Sequence, residues 1–546
     1  MRGGRHSNVL VSLSVGAIAL LVTGRAAANG FEIPENGTEV MGRGGAWTAR
    51  ADNPLAVSLN PAGLAGQPTA IIVNSNLTWQ HQCFQRAGNY PGDKEPDGLG
   101  GKYGASQFPT GAYENQPYPQ VCKLNALKNV GVVPQLAFNY AVNSKLSIAF
   151  APLWTPSGTG KAVWPDGQVG TPGEVRTADG SLAPAPQRFM LLTKNARIIM
   201  PTLGAGYEVM PGLRLGASFQ AVMTFFESQV SSQGSQSDPQ DAKQGATPAV
   251  RSTVHWNQFF TPAFVLGALA SPTPEFDIGA MFRWSADIVK KDGDVTLFAP
   301  YYGDGKSKAS TPVETQVKIQ EMRLPQPWEI RVGARYHKLR AGVVPPAQGR
   351  RDFLKHDLFD VEVDFQYAHN SSFEKLTVLF APDQCVALSE LQKCASIVPS
   401  DASIQKNWND TVAVRVGGEF VAVPDKLGVR LGGFFQTRGQ DPKFLNLDFH
   451  PGRMFGFFLG ATMRVATAVD VALGYGHIFV EDFDNTATGG SLRALAGTRP
   501  DDLVTGGYKG ACPGEPVPAF RSCRIVNTGK LETSYNMFSL AATIRL

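Results

Sequence analysis

From about residue 69 to the C-terminus the chain alternates apolar and polar side chains over segments of roughly 8 to 14 residues, a period of two that belongs to strands. Val412, Val414, Val416 and Phe420 alternate with Thr411, Arg415 and Glu419. Trp328, Ile330, Val332 and Tyr336 alternate with Glu329, Arg331 and Arg335, and Val361, Val363 and Phe365 with Asp360, Glu362 and Asp364. The connections alternate as well. Short turns at 141–145, 210–212, 271–275, 424–426 and 466–468 are interleaved with long stretches near 81–129, 155–189, 227–250, 291–312, 369–406, 437–451 and 481–528. One longer turn, 342–356, interrupts the short set. The count is fourteen strands, an even number with short turns on one side and long loops on the other, which is the pattern of an outer-membrane barrel. A soluble β-sandwich also alternates, burying its apolar face, and the pattern by itself does not say which face is wet. Fourteen such strands with length-alternating loops favour the barrel.

Composition excludes several other classes. A mean hydropathy of −0.12, with no apolar run of about 20 residues after the N-terminus, rules out a bundle of membrane helices. A net charge of +4 over 546 residues is too small for a nucleic-acid surface. Arg2 and Arg5, the apolar run Val9 to Val22, and Ala26 and Ala28 read as a secretory signal over 1–28, with cleavage before Asn29. Export permits disulfides, and six cysteines fall in sequence-local pairs, Cys83/Cys122, Cys385/Cys394 and Cys512/Cys523, each in a long loop. None has CxxC spacing, so no metal is expected, and no cofactor motif is found.

Eight strands enclose an interior that side chains can fill, while sixteen leave a channel, so a barrel of fourteen calls for a plug. The segment 29–68 precedes the first strand of the barrel (69–546), does not alternate, and is rich in glycine, including Gly42, Gly44 and Gly45. Its apolar residues, Phe31 and Ile33 among them, suit a plug or an apolar pocket. Under the alternation Arg331, Arg335, Asp360, Glu362, Asp364, Arg415, Glu419 and Arg430 face the lumen, either as a ladder that satisfies itself and tethers the plug or as a substrate-selective ring.

The sequence Gly42-Arg43-Gly44-Gly45-Ala46-Trp47, followed by Ala51-Asp52-Asn53 and Asn60-Pro61-Ala62, resembles the N-terminal hatch of the FadL family of outer-membrane transporters for long-chain fatty acids and aromatic hydrocarbons. Phe282-Arg283-Trp284-Ser285, Leu324-Pro325-Gln326-Pro327-Trp328-Glu329, Asn407-Trp408-Asn409-Asp410-Thr411 and Tyr475-Gly476-His477 are similar to later strands of that family, in order. The resemblance implies a monomeric, all-β, fourteen-stranded antiparallel transmembrane barrel plugged by a hatch. It further implies that a hydrophobic small molecule is caught at outer loops, passes to an apolar pocket beside Asn29 and Phe31, and leaves sideways into outer-membrane lipid through a kink in the third strand. That strand contains Pro152, which cannot donate to a ladder. Two departures stand out: the chain ends in Leu546 rather than an aromatic residue, and its loops carry cysteines.

Enzymatic signatures are absent from the sequence. Gly305-Lys306-Ser307 lacks the upstream glycine of a phosphate loop, and neither HExxH nor GxSxG occurs. The competing functions are an open polar porin and a secreted β-sandwich binding protein.

Overall fold

A computed structural model describes residues 36–90, 108, 112–124, 131–156, 160–232, 250–299, 313–343, 352–387, 396–398, 400–449, 451–495 and 521–546. Asn29, Phe31 and Ile33, the 1–28 signal segment, Cys394 and Cys512 lie outside them, as does the side chain of Cys523. Fourteen antiparallel strands form a ring: β1 (Ala70–Arg86), β2 (Gly131–Ala141), β3 (Leu146–Leu153), β4 (Thr202–Met210), β5 (Leu213–Ser232), β6 (Val250–Thr273), β7 (Phe276–Ser285), β8 (Trp328–Leu339), β9 (Asp357–His369), β10 (Thr411–Val423), β11 (Leu427–Gln436), β12 (Met454–Ala466), β13 (Val469–Asp484) and β14 (Gly529–Arg545). Each strand pairs with the next, and β14 closes on β1 from Ala70↔Arg545 to Arg86↔Gly529.

Burial is inverted relative to a soluble protein, and this decides between barrel and sandwich. On β9 and β10 the apolar residues Val361, Val363, Phe365, Val414, Val416 and Phe420 are exposed, while their charged neighbours are buried, Arg415 completely. Leu431 and Phe457 are 64% and 62% exposed on the same outer surface. An outward apolar band around a closed ring, with no helix among the described residues long enough to cross, is a lipid-facing barrel of outer-membrane type. Aromatic rings gather at one rim: Phe264 stacks on Trp284 at 5.2 Å, and Trp328 lies 5.1 Å from the His369 ring and 5.5 Å from Tyr367. Interfacial belts of this kind mark where hydrocarbon ends.

Above that rim the sheet continues, which corrects the loop assignments at 291–312 and 369–406. Ile288–Ala299 pairs with Val313–Leu324, and Lys375–Phe380 pairs with both Val313–Leu324 and Asp401–Gln405. These extensions stand in water, so their outer face carries Lys290, Lys291, Asp292 and Asp294 and the apolar outer stripe that marks a membrane strand is lost. The turn 342–356 is also more than a turn: it ends in a short helix, α3 (Phe353–His356), whose Phe353 and Leu354 are buried.

A disulfide joins Cys83 to Cys122, fastening β1 to the loop beside it. Cys385 is disulfide-bonded as well, and no described cysteine is free.

Candidate transport route: a locked interior and an unpaired wall

Residues 36–67 fold as three short turns of helix, α1 (Thr38–Met41), α2 (Ala56–Leu59) and a 3-10 turn (Pro61–Leu64), and touch strands all the way round the ring. With the outer face turned to lipid, such contacts are possible only from inside. The wall makes room with glycine. A Cβ at Gly206 on β4 would lie 2.5 Å from the Pro61 carbonyl oxygen, and one at Gly279 on β7 would lie 2.7 Å from the Ala49 Cα. Gly417 and Gly432, cross-strand partners on β10 and β11, leave the same kind of space for the Arg43 backbone. The segment answers with glycines of its own. Gly44 and Gly45 have φ of +63° and +82°, a region that costs side-chain-bearing residues, and Gly44 abuts Gly433. Gly42 lies against Gly460 on β12. Asn60 caps the turn at Ala62, donates to the Thr48 carbonyl at 2.7 Å and reaches the Ala268 carbonyl on β6 at 3.4 Å; Asn60-Pro61-Ala62 therefore sits against β4–β6.

Electrostatics fix the opposite side. Asp360, Glu362 and Asp364, two residues apart on β9, share the inward face. Arg43 donates to Asp360 at 2.5 Å and to Glu362 at 3.1 Å. Arg50 reaches Glu419 at 2.6 Å and Asp360 at 3.4 Å. Asp364 accepts the backbone N–H groups of Trp47 and Thr48 and the Thr48 hydroxyl, and Glu362 accepts the Ala49 N–H at 2.6 Å. Arg335 bridges Asp360 and Asp277 at 2.7 and 3.1 Å, and Arg430 holds Glu419 at 2.8 Å. Arg331 stands apart, 3.3 Å from Glu329 on its own strand, and Arg415 lies opposite Asp364 with its guanidinium 5.7 Å from the Phe434 ring. The sequence reading did not single out Arg43 and Arg50. Their signal was two arginines seven positions apart in an otherwise small and apolar stretch, facing a strand with a carboxylate at every second residue.

The wall has an interruption beside the apolar half of this segment. β3 pairs β4 up to Ala151↔Thr202, and pairing resumes at Gly160↔Ala196. Between these points the described residues form no ladder, although the Met200 N–H reaches the Trp154 carbonyl at 2.8 Å. Pro152 sits at the edge of the interruption with its ring outward, Pro201 faces it on the next strand, and β2 shifts register between Leu136 and Phe138. Neither proline can donate to a ladder. Inside, buried Trp154 and Ala151 pack with Leu55, Val57, Leu59 and Leu64, and Asn36 donates to the Thr155 carbonyl at 3.3 Å.

Above the locked layer the lumen is apolar, built around Phe226, Trp256, Ile288, Leu324, Phe373 and Trp408. At its edge three lysines converge on the 448–449 loop. Lys194 donates to the Asp448 carbonyl at 2.6 Å with its ammonium 4.3 Å from the Phe449 ring, Lys406 pairs with the Asp448 carboxylate, and Lys123 donates to Gln80 at 3.0 Å. In the loop outside the barrel, burial and then the neighbouring Lys194 charge bring the Lys123 ammonium down to about 8.

A scan of protein-family models and a search of curated proteins give no match. Among solved structures the chain is similar to a FadL homologue from Pseudomonas aeruginosa, with a TM-score of 0.61 at 15% identity over 95% of this chain and 100% of that one. It is also similar to the toluene transporter TbuX of Ralstonia pickettii (TM-score 0.55, 15% identity, 94% and 100% covered). The toluene transporter TodX of Pseudomonas putida aligns likewise (TM-score 0.54, 12% identity, 94% and 99% covered). The chain is therefore an outer-membrane barrel with the fold of the FadL-type transporters.

Proposed function

We propose that this barrel carries hydrophobic small molecules across the outer membrane without an energy source, and that residues 29–68 act as a hatch which keeps the lumen shut while cargo leaves sideways between β3 and β4. The observation that carries the reading is the pairing of opposites: the direct path down the lumen is closed by a desolvated charge lock, while the wall beside the apolar cluster of the hatch is unpaired. An apolar molecule gains about 0.8 kcal/mol per CH₂ on leaving water. It therefore settles in the apolar upper lumen and passes to the bilayer with little net cost, whereas crossing the charged layer would forfeit that gain. The similarity to structures described as toluene transporters supports the same class of cargo.

Lys194, Lys406 and Lys123, with Asp448 as the one carboxylate in their group, favour an amphiphile with an acid head over a neutral hydrocarbon. The test is tryptophan quenching by brominated palmitate in purified, detergent-solubilised protein. Saturable quenching that is lost in a Trp256→Phe/Trp408→Phe variant supports the reading. Quenching that is non-saturable, or unchanged in that variant, removes it. An open porin is disfavoured by the occupied lumen, and a large steady conductance of the native protein would restore that alternative.

A further inference from the structure

The periplasmic mouth carries a closure that the transport reading does not require. The connection from β8 to β9 is the one long member of the short-turn set, and its final residues turn into the barrel rather than away from it. Phe353 and Leu354 are buried and pack on Val421 of β10. The backbone is tied on three sides. Arg340 donates to the Leu354 carbonyl at 2.7 Å and to the Asp357 carbonyl at 3.1 Å, the Asp425 N–H in the β10–β11 turn donates to the Leu354 carbonyl at 2.8 Å, and Asp352 pairs with Arg464 of β12 at 2.9 Å. Arg464 also holds Asp470 at 2.8 Å and pairs with Asp425. The helix thus crosses from the β8–β9 edge to β10–β12 and is fixed at both ends. From below, the Phe353 ring meets the guanidinium of Arg50 at a 4.2 Å centroid distance, with Arg335 at 5.7 Å. Arg50 is the residue of the inner segment that joins Glu419 and Asp360.

Between the inner segment, the helix and the wall lies a polar cavity of about 130 Å³, bordered by Asp52, Asn53, Phe353, Arg430, Arg464 and Arg545 among others. Water and ions, not apolar cargo, would use such a space.

We propose that Asp352–His356 is an inner strap, a second closure that seals this polar cavity from the periplasm and pins the N-terminal segment through Phe353 and Arg50. A strap of this kind makes the lumen tight to ions independently of what the protein transports. It also couples the two closures, because the side chain the strap touches is one that locks the segment to β9 and β10.

Full-length protein in planar bilayers tests this with Phe353→Ala and Asp352→Asn. The readouts are ion conductance and labelling of an Asn53→Cys substitution by a membrane-impermeant maleimide, with heat-modifiable migration reporting the barrel. The strap predicts a rise of about tenfold in open occupancy, the scale of one desolvated cation–π contact. It also predicts labelling of Cys in the variants but not in the parent, and no further rise when Arg50→Met is added to Phe353→Ala. A folded Phe353→Ala protein with parental conductance and no labelling overturns the proposal. If Phe353→Ala does not fold, Asp352→Asn, which keeps the volume and loses the tie to Arg464, decides alone: parental conductance and protection overturn the strap, and leak with labelling sustains it.

Discussion

Asp360 is the point at which the inner segment depends most on the wall, so its neutralisation is the sharpest perturbation of the lock. The carboxylate is 2% exposed and receives Arg43 at 2.5 Å, Arg335 at 2.7 Å, Arg50 at 3.4 Å and the Glu419 N–H at 2.8 Å. Asp360→Ala removes one negative charge from beneath three guanidiniums that are all nearly dry. Breaking a buried ion pair from one side costs about 3–5 kcal/mol because the remaining charge is left desolvated. The cost falls on docking of the segment, since the barrel ladders on both sides of Asp360 are main-chain bonds that the substitution leaves in place. At 1.4 kcal/mol per tenfold, undocking becomes about 10² to 10³-fold more frequent. Single-channel recording should then show openings that the parent lacks, with unchanged heat-modifiable migration. A double-mutant cycle with Arg43→Met should recover part of the loss, because the uncompensated charge leaves with its partner. Parental conductance in a folded Asp360→Ala protein would refute the claim that these carboxylates hold the segment.

Further outcomes follow from other contacts. Gly206→Ala drives a methyl group into the Pro61 carbonyl, at 2.5 Å, and should weaken docking by about 1–3 kcal/mol, read as increased proteolysis within 36–67 while the barrel stays intact. Lys123 is held down to about 8, so its positive charge is present below that pH and lost above it. Binding of an anionic amphiphile should therefore weaken as pH rises through about 8, while binding of a neutral hydrocarbon stays flat, and Lys123→Met should remove the difference. Reduction of Cys83–Cys122, which closes a separation of 39 residues, should destabilise that outer loop by up to about 4 kcal/mol, seen as faster amide exchange near 112–124 with no change in β14.

The sequence carried the strands and their faces because lipid on one side and a filled lumen on the other impose an alternation that few other environments require. Arg415 beside Val414 and Val416, and Glu362 between Val361 and Val363, were legible for that reason. The same alternation could not tell water from lipid. Only the exposure of Val416 and Phe420 together with the burial of Glu419 does so. Where strands leave the membrane the signal fades, and Ile288–Ala299 and Asp401–Gln405 read as loops although they are paired. Pro152 was visible as a breaker on its own strand. The part played by Pro201 was not, because facing prolines matter only once β3 and β4 are neighbours. The partners of Arg43 and Arg50 lie more than 300 residues away, and no local pattern announces a contact of that range. Phe353 was hidden for the opposite reason: a four-residue helix in a turn has no periodicity to read.

The account stands on cargo leaving through the wall between β3 and β4, and that exit can be locked and released in one molecule. Trp154 and Met200 face each other across the interruption, joined by a backbone hydrogen bond of 2.8 Å. A Trp154→Cys/Met200→Cys protein, oxidised, staples the two strands together; reduced, it frees them, with the parent under the same reductant controlling for Cys83–Cys122. Uptake of radiolabelled palmitate by cells carrying this variant is the deciding measurement. The account predicts uptake at background when oxidised and recovery on reduction. Equal uptake in the two states would contradict it.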